Sequence, residues 1–120
     1  MKPFQLTNKA KSDLKDIALF TSRRWGTEQR NVYLKQFDES FWLFAENPDI
    51  GKTCDDIREG YRKFPQGTHV IFYQQIGSQN IQIIRILHKS MDVHPIFGAT
   101  PCLPAQQSSE YAVQYPPHLQ

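Results

Sequence analysis

Apolar positions recur at three- and four-residue intervals through the first third of the chain. Ala10, Leu14, Ile17, Ala18, Thr21 and Trp25 form one stripe, with Lys11, Lys15, Asp16 and Arg23 off it. Thr7 or Asn8 can cap the helix this predicts, because either side chain accepts from an orphan backbone N–H. Gly26 stands where the helix should end, since glycine enters left-handed backbone without steric cost. The pattern restarts at Thr27, and Leu34, Phe37, Phe41, Phe44 and Ala45 make a second helical face running to Asn47-Pro48. So short a link predicts an antiparallel helical hairpin. The aromatic load of its second arm, Tyr33, Phe37, Phe41, Trp42 and Phe44, has the spacing of core packing rather than of a cofactor site.

Residues 49–57 read as a polar loop. Asp49, Asp55 and Asp56 lie in it without any calcium-loop spacing, so no metal site is expected. From Arg58 the period changes to two, predicting strands over 61–64, 68–74 and 81–88. Turns are expected at Pro65-Gln66-Gly67 and around Gly77-Ser78-Gln79-Asn80. A short extended N-terminal segment, Pro3-Phe4-Gln5-Leu6, completes an α+β reading: an N-terminal strand and a three-stranded C-terminal meander, an antiparallel sheet packed on an N-terminal helical hairpin.

Pairing Phe64 with Thr68 and Tyr73 with Ile81 sets an expected register. It puts Arg62, Phe64, Val70, Phe72, Ile84 and Ile86 on the helix-facing side. Tyr61, Lys63, His69, Ile71, Tyr73, Ile81, Ile83, Arg85 and Leu87 then share the other side. That second face mixes apolar groups with Lys63, His69 and Arg85 on neighbouring strands. Two readings stand open: a docking face for a partner segment, or a metal-free ribonuclease site in which Lys and Arg hold phosphate and His or Tyr moves a proton.

Composition narrows the class. At 120 residues and 14.0 kDa the chain is the size of one domain, with no room for a second to close over a substrate. The net charge of +2 averages a neutral first half with a basic one: residues 58–99 hold five Lys/Arg against Glu59 and Asp92. Neither a membrane span nor a signal-peptide pattern is present, so a cytoplasmic location is expected. Cys54 and Cys102 have no metal-ligand spacing and read as free thiols. Residues 100–120 carry four prolines, four glutamines, one acid and no Lys or Arg, which predicts a disordered tail after a folded unit of residues 1–99.

Three segments carry a resemblance: Arg58-Glu59-Gly60-Tyr61-Arg62, Gly67-Thr68-His69-Val70-Ile71-Phe72-Tyr73, and Ile84-Arg85-Ile86-Leu87-His88-Lys89-Ser90-Met91-Asp92. With the order of elements, they make residues 3–98 similar to the ParE branch of the ParE/RelE toxin superfamily, and in detail to chromosomal ParE toxins of vibrios. The resemblance implies a RelE-like fold and the toxin of a type II toxin–antitoxin module. Such a toxin poisons DNA gyrase by stabilising its cleaved-DNA complex, needs no cofactor or catalytic residue, and is silenced by a ParD-type antitoxin. The alternative it carries is the RelE activity, ribosome-dependent mRNA cleavage. Under the ParE reading Lys63, His69, Ile71, Tyr73, Ile83, Arg85 and Leu87 are expected to bind antitoxin, with Ile81 beside them. His88, Lys89, Ser90, Met91 and Asp92 are expected to meet gyrase. DNA would be engaged only through gyrase, a membrane not at all, and a second copy of the chain is a further candidate partner. Relatives of this kind are expected to stop near Gly98-Ala99, so the last 21 residues depart from the pattern.

Overall fold

The computed structural model describes residues 2–78, 80–93 and 95–97; the expected boundary at residue 99, Cys102 and the expected tail lie outside them. Strand β1 (Phe4–Leu6) leads into α1 (Asn8–Trp25), whose first turn is capped by Thr7: its Oγ1 accepts the Ala10 N–H at 3.0 Å. Gly26, at φ 95°, ends α1 and opens α2 (Thr27–Glu46): its N–H bonds Ser22 O and its carbonyl accepts from Arg30 N. The segment expected as a plain polar loop contains a 3₁₀ turn (Pro48–Ile50) and a two-residue strand, β2 (Lys52–Thr53). Then come β3 (Tyr61–Gln66), β4 (His69–Ile76) and β5 (Asn80–His88).

The strands form one sheet in the order β1-β5-β4-β3-β2. The α+β class is as expected, and the sheet is mixed: β1 runs parallel to β5, pairing Phe4–Leu6 with Ile81–Ile83, because the helical hairpin carries the chain across one face before the meander begins. The opposite edge is blunted. β2 covers only Arg62 and Lys63, and Pro65, further along β3, has no N–H to offer an added strand.

The expected register is corrected on both hairpins. Gln66 pairs with His69 and Phe64 with Ile71, so Pro65 and Gln66 belong to the strand and the turn is Gly67-Thr68 alone. Gly67 has φ 60°, which a two-residue hairpin turn needs at its first central position. Its Cα also lies so close to the Tyr33 ring that a Cβ there would stand 2.6 Å from Oη. Relative to Phe64–Thr68 pairing this is a three-residue slip, and an odd slip turns β4 over. Between β4 and β5, Tyr73 pairs with Ile83 but Phe72 with Arg85: a bulge at Ile84-Arg85 shifts the remainder of β5 by one.

Two apolar layers result. Ile71, Tyr73, Ile81, Ile83 and Ile86 lie beneath the hairpin with Phe4, Ala10, Ile17, Phe37, Phe41 and Phe44. Tyr73 stacks on Phe44 at 4.0 Å, donates to Pro48 O and accepts from Gly51 N, both at 2.8 Å, so one buried phenol holds the 3₁₀ turn and β2 against the sheet. On the far face Phe72 and Leu87 join Cys54 and Ile57. Met91, Val93, Ile96 and Phe97 fold back over them, Phe97 lying edge-on to Phe72 at 5.0 Å.

Candidate functional site

The residues expected to share one exposed face are dispersed. Ile71, Tyr73, Ile81 and Ile83 have no exposed surface and belong to the main core, so the expectation that they receive an antitoxin segment fails on burial. Leu87 is buried in the second layer. Lys63 pairs with Phe72, on the face turned away from the helices, and is half-buried beside Cys54.

His69 lies under the hairpin. Its Nδ1 is 2.8 Å from Tyr33 Oη, while that hydroxyl donates to Gln66 O and accepts from Thr68 N. Which of Tyr33 Oη and His69 Nδ1 donates is set by the imidazole tautomer. Burial, reinforced by the nearby His88 and only partly offset by Asp13, pushes its pKa down to about 4. The His88 ring stands edge-on at 5.5 Å.

Arg85 points to α1. Its Nε and Nη2 donate to the two Asp13 carboxylate oxygens at 2.7 and 2.9 Å, and Ile86 N donates to the same carboxylate at 3.0 Å. The hydrogen bond to Asp13 outweighs burial and holds the guanidinium above its ordinary pKa. Beside it Thr7 Oγ1 donates to Ile84 O. Where β1 has run out, α1 thus supplies the partners for the bulged edge of β5.

Lys63, His69 and Arg85 therefore make no common phosphate-binding, proton-transferring surface. Cys54 is buried and its thiol is pushed above its usual pKa, chiefly by burial, which disfavours the nucleophilic thiolate. Among the described residues no cluster of His, Cys, Asp or Glu has metal-binding geometry. Asp49 is paired with Arg62 at 3.3 Å, and Asp55 accepts from Gly60 N. Nor is any helix among them long and apolar enough to cross a membrane.

The segment after β5 is held by its own backbone. Lys89 N donates to Thr68 O, Met91 N to His88 O, and Ser90 N to His88 Nδ1, with Ser90 Oγ 2.7 Å from that nitrogen. Lys89 is exposed; His88, Ser90 and Asp92 are half-buried, and Met91 packs into the second layer.

Comparison with known proteins decides the family. Residues 4–93 match the family model described as the ParE toxin of the type II toxin–antitoxin system parDE. The chain belongs to the ParE toxin family. Toxin ParE1 of Caulobacter vibrioides is 39% identical over 98 residues, covering 82% of this chain and 100% of that protein. Toxin ParE1 of Mycobacterium tuberculosis is 40% identical over 90 residues, covering 75% and 92%. A solved chromosomal ParDE system from P. aeruginosa shares the fold with TM-score 0.60 at 20% identity, over 71% of this chain and 92% of that one.

Two residues that hold this ParE fold, Asp13 and Tyr33, went unremarked in the sequence, and a third, Trp25, was misplaced. Asp13 sits three residues after Ala10 and four before Ile17, on the buried stripe itself. An acid at such spacing signals a buried partner. Tyr33 reads as one more aromatic, and only the turn it reaches explains its hydroxyl. Trp25 continues the stripe on paper, yet it is 65% exposed, whereas Ile17 and Thr21 on the same stripe are buried.

Proposed function

We propose that this ParE-family toxin inhibits DNA gyrase by docking, stabilising the cleaved-DNA complex and blocking replication, and that a ParD-type antitoxin neutralises it in the cytoplasm. The observation that carries this reading is the dispersal of Lys63, His69 and Arg85. A phosphate clamp and a proton shuttle have to converge within hydrogen-bond reach of one bond. Here the arginine is consumed by Asp13, the histidine is buried and neutral, and the lysine is on the other face. Docking needs no such convergence, so the chain acts as a non-enzymatic inhibitor.

His88 to Asp92 are the target-binding candidates: the segment is anchored by two backbone–backbone bonds and by Ser90 N donating to His88 Nδ1, and it presents Lys89 outward. Lys63 remains the antitoxin-binding candidate, as a partly exposed cation fit for an acidic antitoxin segment.

Supercoiling and DNA-cleavage assays with purified gyrase test the proposal. Micromolar toxin should lower supercoiling and accumulate cleaved DNA, and pre-mixed antitoxin should restore both. Unchanged gyrase, with mRNA cut on programmed ribosomes, would establish the RelE-type reading instead.

A further inference from the structure

At the tip of the hairpin α1, α2 and the β3–β4 turn border a cleft of about 430 Å³. Phe20, Thr21 and Trp25 line one side, Gln29 and Tyr33 another, and Gly67, Thr68 and His69 the floor. The polar groups of that floor are already engaged with one another: Tyr33 Oη with Gln66 O, Thr68 N and His69 Nδ1. What the cleft offers an occupant is therefore mostly ring and methyl surface. Trp25, flanking it, is the most exposed of the large apolar side chains among the described residues, whereas Ile17 and Thr21, earlier on the same helical stripe, are 7% and 6% exposed. An apolar cleft beside an uncovered tryptophan has the form of an interface core without its partner.

Charge selects the occupant. The Arg24 guanidinium lies 5.6 Å from the centre of the Trp25 ring, and the backbone of exposed Lys89 is bonded to Thr68; Arg23 and Arg30 adjoin the lining in sequence only, the Arg30 guanidinium being bonded to Asn31 Oδ1. Glu28 is the acid that interrupts them. We propose that the cleft is a docking site for an acidic segment of a partner protein, which inserts one bulky apolar side chain between Trp25 and the β3–β4 turn while its carboxylates meet Arg24 and Lys89. The proposal does not depend on gyrase being the target.

The full chain with Trp42→Phe leaves Trp25 as the fluorescent reporter. Three short synthetic peptides serve as probes: one rich in Glu and Asp with a central Leu, the same peptide with Ala for Leu, and a Lys-rich peptide with the Leu kept. The acidic leucine peptide should shift Trp25 emission to the blue and bind roughly tenfold or more tightly than either control. Trp25→Ala and Arg24→Glu, both on exposed positions, should each lose about tenfold in anisotropy titrations without a change in thermal melting. Equal binding of the leucine and alanine peptides would reduce the surface to plain charge attraction and overturn the proposal. Absence of binding, or binding indifferent to Trp25→Ala, would overturn it as well. So would a blue shift produced by anionic phosphatidylglycerol vesicles and not by the peptide, which would make the tip a membrane contact.

Discussion

Replacing Asp13 by alanine should be among the most damaging single changes to this fold that leave the apolar core intact. The carboxylate takes two bonds from Arg85 and one from Ile86 N, across 72 and 73 residues of chain. The side chains of Arg85 and Asp13 are only 20% and 12% exposed. Removing one partner from a buried pair costs about 3–5 kcal/mol, because the other charge is left desolvated and alone. Arg85 keeps a fifth of its surface, so the low end, about 3 kcal/mol, applies. The Ile86 N–H, beyond the reach of β1, adds about 1 kcal/mol when it loses its acceptor.

The expected loss is thus about 3–4 kcal/mol, enough to lower Tm by roughly 15–25 °C in a domain of this size. Urea denaturation followed by circular dichroism measures it, with Arg85→Met and the double variant Asp13→Leu/Arg85→Met closing a cycle. The double variant should be less damaged than Asp13→Ala alone, since an apolar pair strands no charge. The reasoning is refuted if Asp13→Ala costs less than about 1 kcal/mol, or if the cycle shows no coupling beyond about 0.5 kcal/mol.

Three further outcomes follow from the same packing. His69 is held neutral with a pKa near 4 against an ordinary 6.5, so its contribution to stability is complete above pH 6.5 and is lost as pH falls toward 4, by about 3 kcal/mol at most. His69→Phe should flatten that part of the stability–pH curve, and an unchanged slope would place the titration elsewhere. Tyr73→Phe strands Pro48 O and Gly51 N and should cost about 2–3 kcal/mol by chemical denaturation, while Gly51→Ala, whose Cβ would sit 2.5 Å from that hydroxyl, should do similar damage. Gly67→Ala combines a left-handed backbone with a Cβ 2.6 Å from Tyr33 Oη; a loss of at least about 1 kcal/mol is expected, and a neutral result would mean that the turn relaxes freely.

Helices and strands were legible because their signals are local. Thr7, Gly26 and Asn47 mark the helix ends they were expected to mark, and the change of period after Arg58 announces the meander. Face assignment was not local. It hung on which residues form the β3–β4 turn, and Pro65-Gln66-Gly67 carries two competing signals, the proline for a longer loop and the glycine for a two-residue one. The outcome was decided by Tyr33, 33 residues upstream of Gln66, whose hydroxyl bonds both ends of the tight turn, and by an edge where Pro65 has no strand to disappoint. Ile84-Arg85 added the second error: a bulge has no composition of its own, and here it is fixed by Thr7, the cap of α1, and by Asp13 within that helix.

That error had a functional consequence, because strand periodicity makes sidedness an all-or-none property. In the slipped register Lys63, His69 and Arg85 converge; in the real one the odd shift sends His69 under the helices while Lys63 stays outside, and the bulge swings Arg85 to Asp13. A cluster inferred from alternation alone is only as sound as its turn. With the hairpin on one sheet face and Met91, Val93, Ile96 and Phe97 packed on the other, where Lys63 stays partly exposed, the described surfaces open to partners also include ones beyond the sheet. Those include the post-β5 segment around Lys89 and the tip where Trp25 stands uncovered. The two are adjoining, since Lys89 N is bonded to Thr68 in the floor of the tip cleft. A ligand seated against Trp25 would therefore sit beside the proposed gyrase-binding segment. If both assignments hold, an acidic peptide occupying the tip should also weaken gyrase inhibition, and full inhibition with the tip saturated would show that the two surfaces act apart.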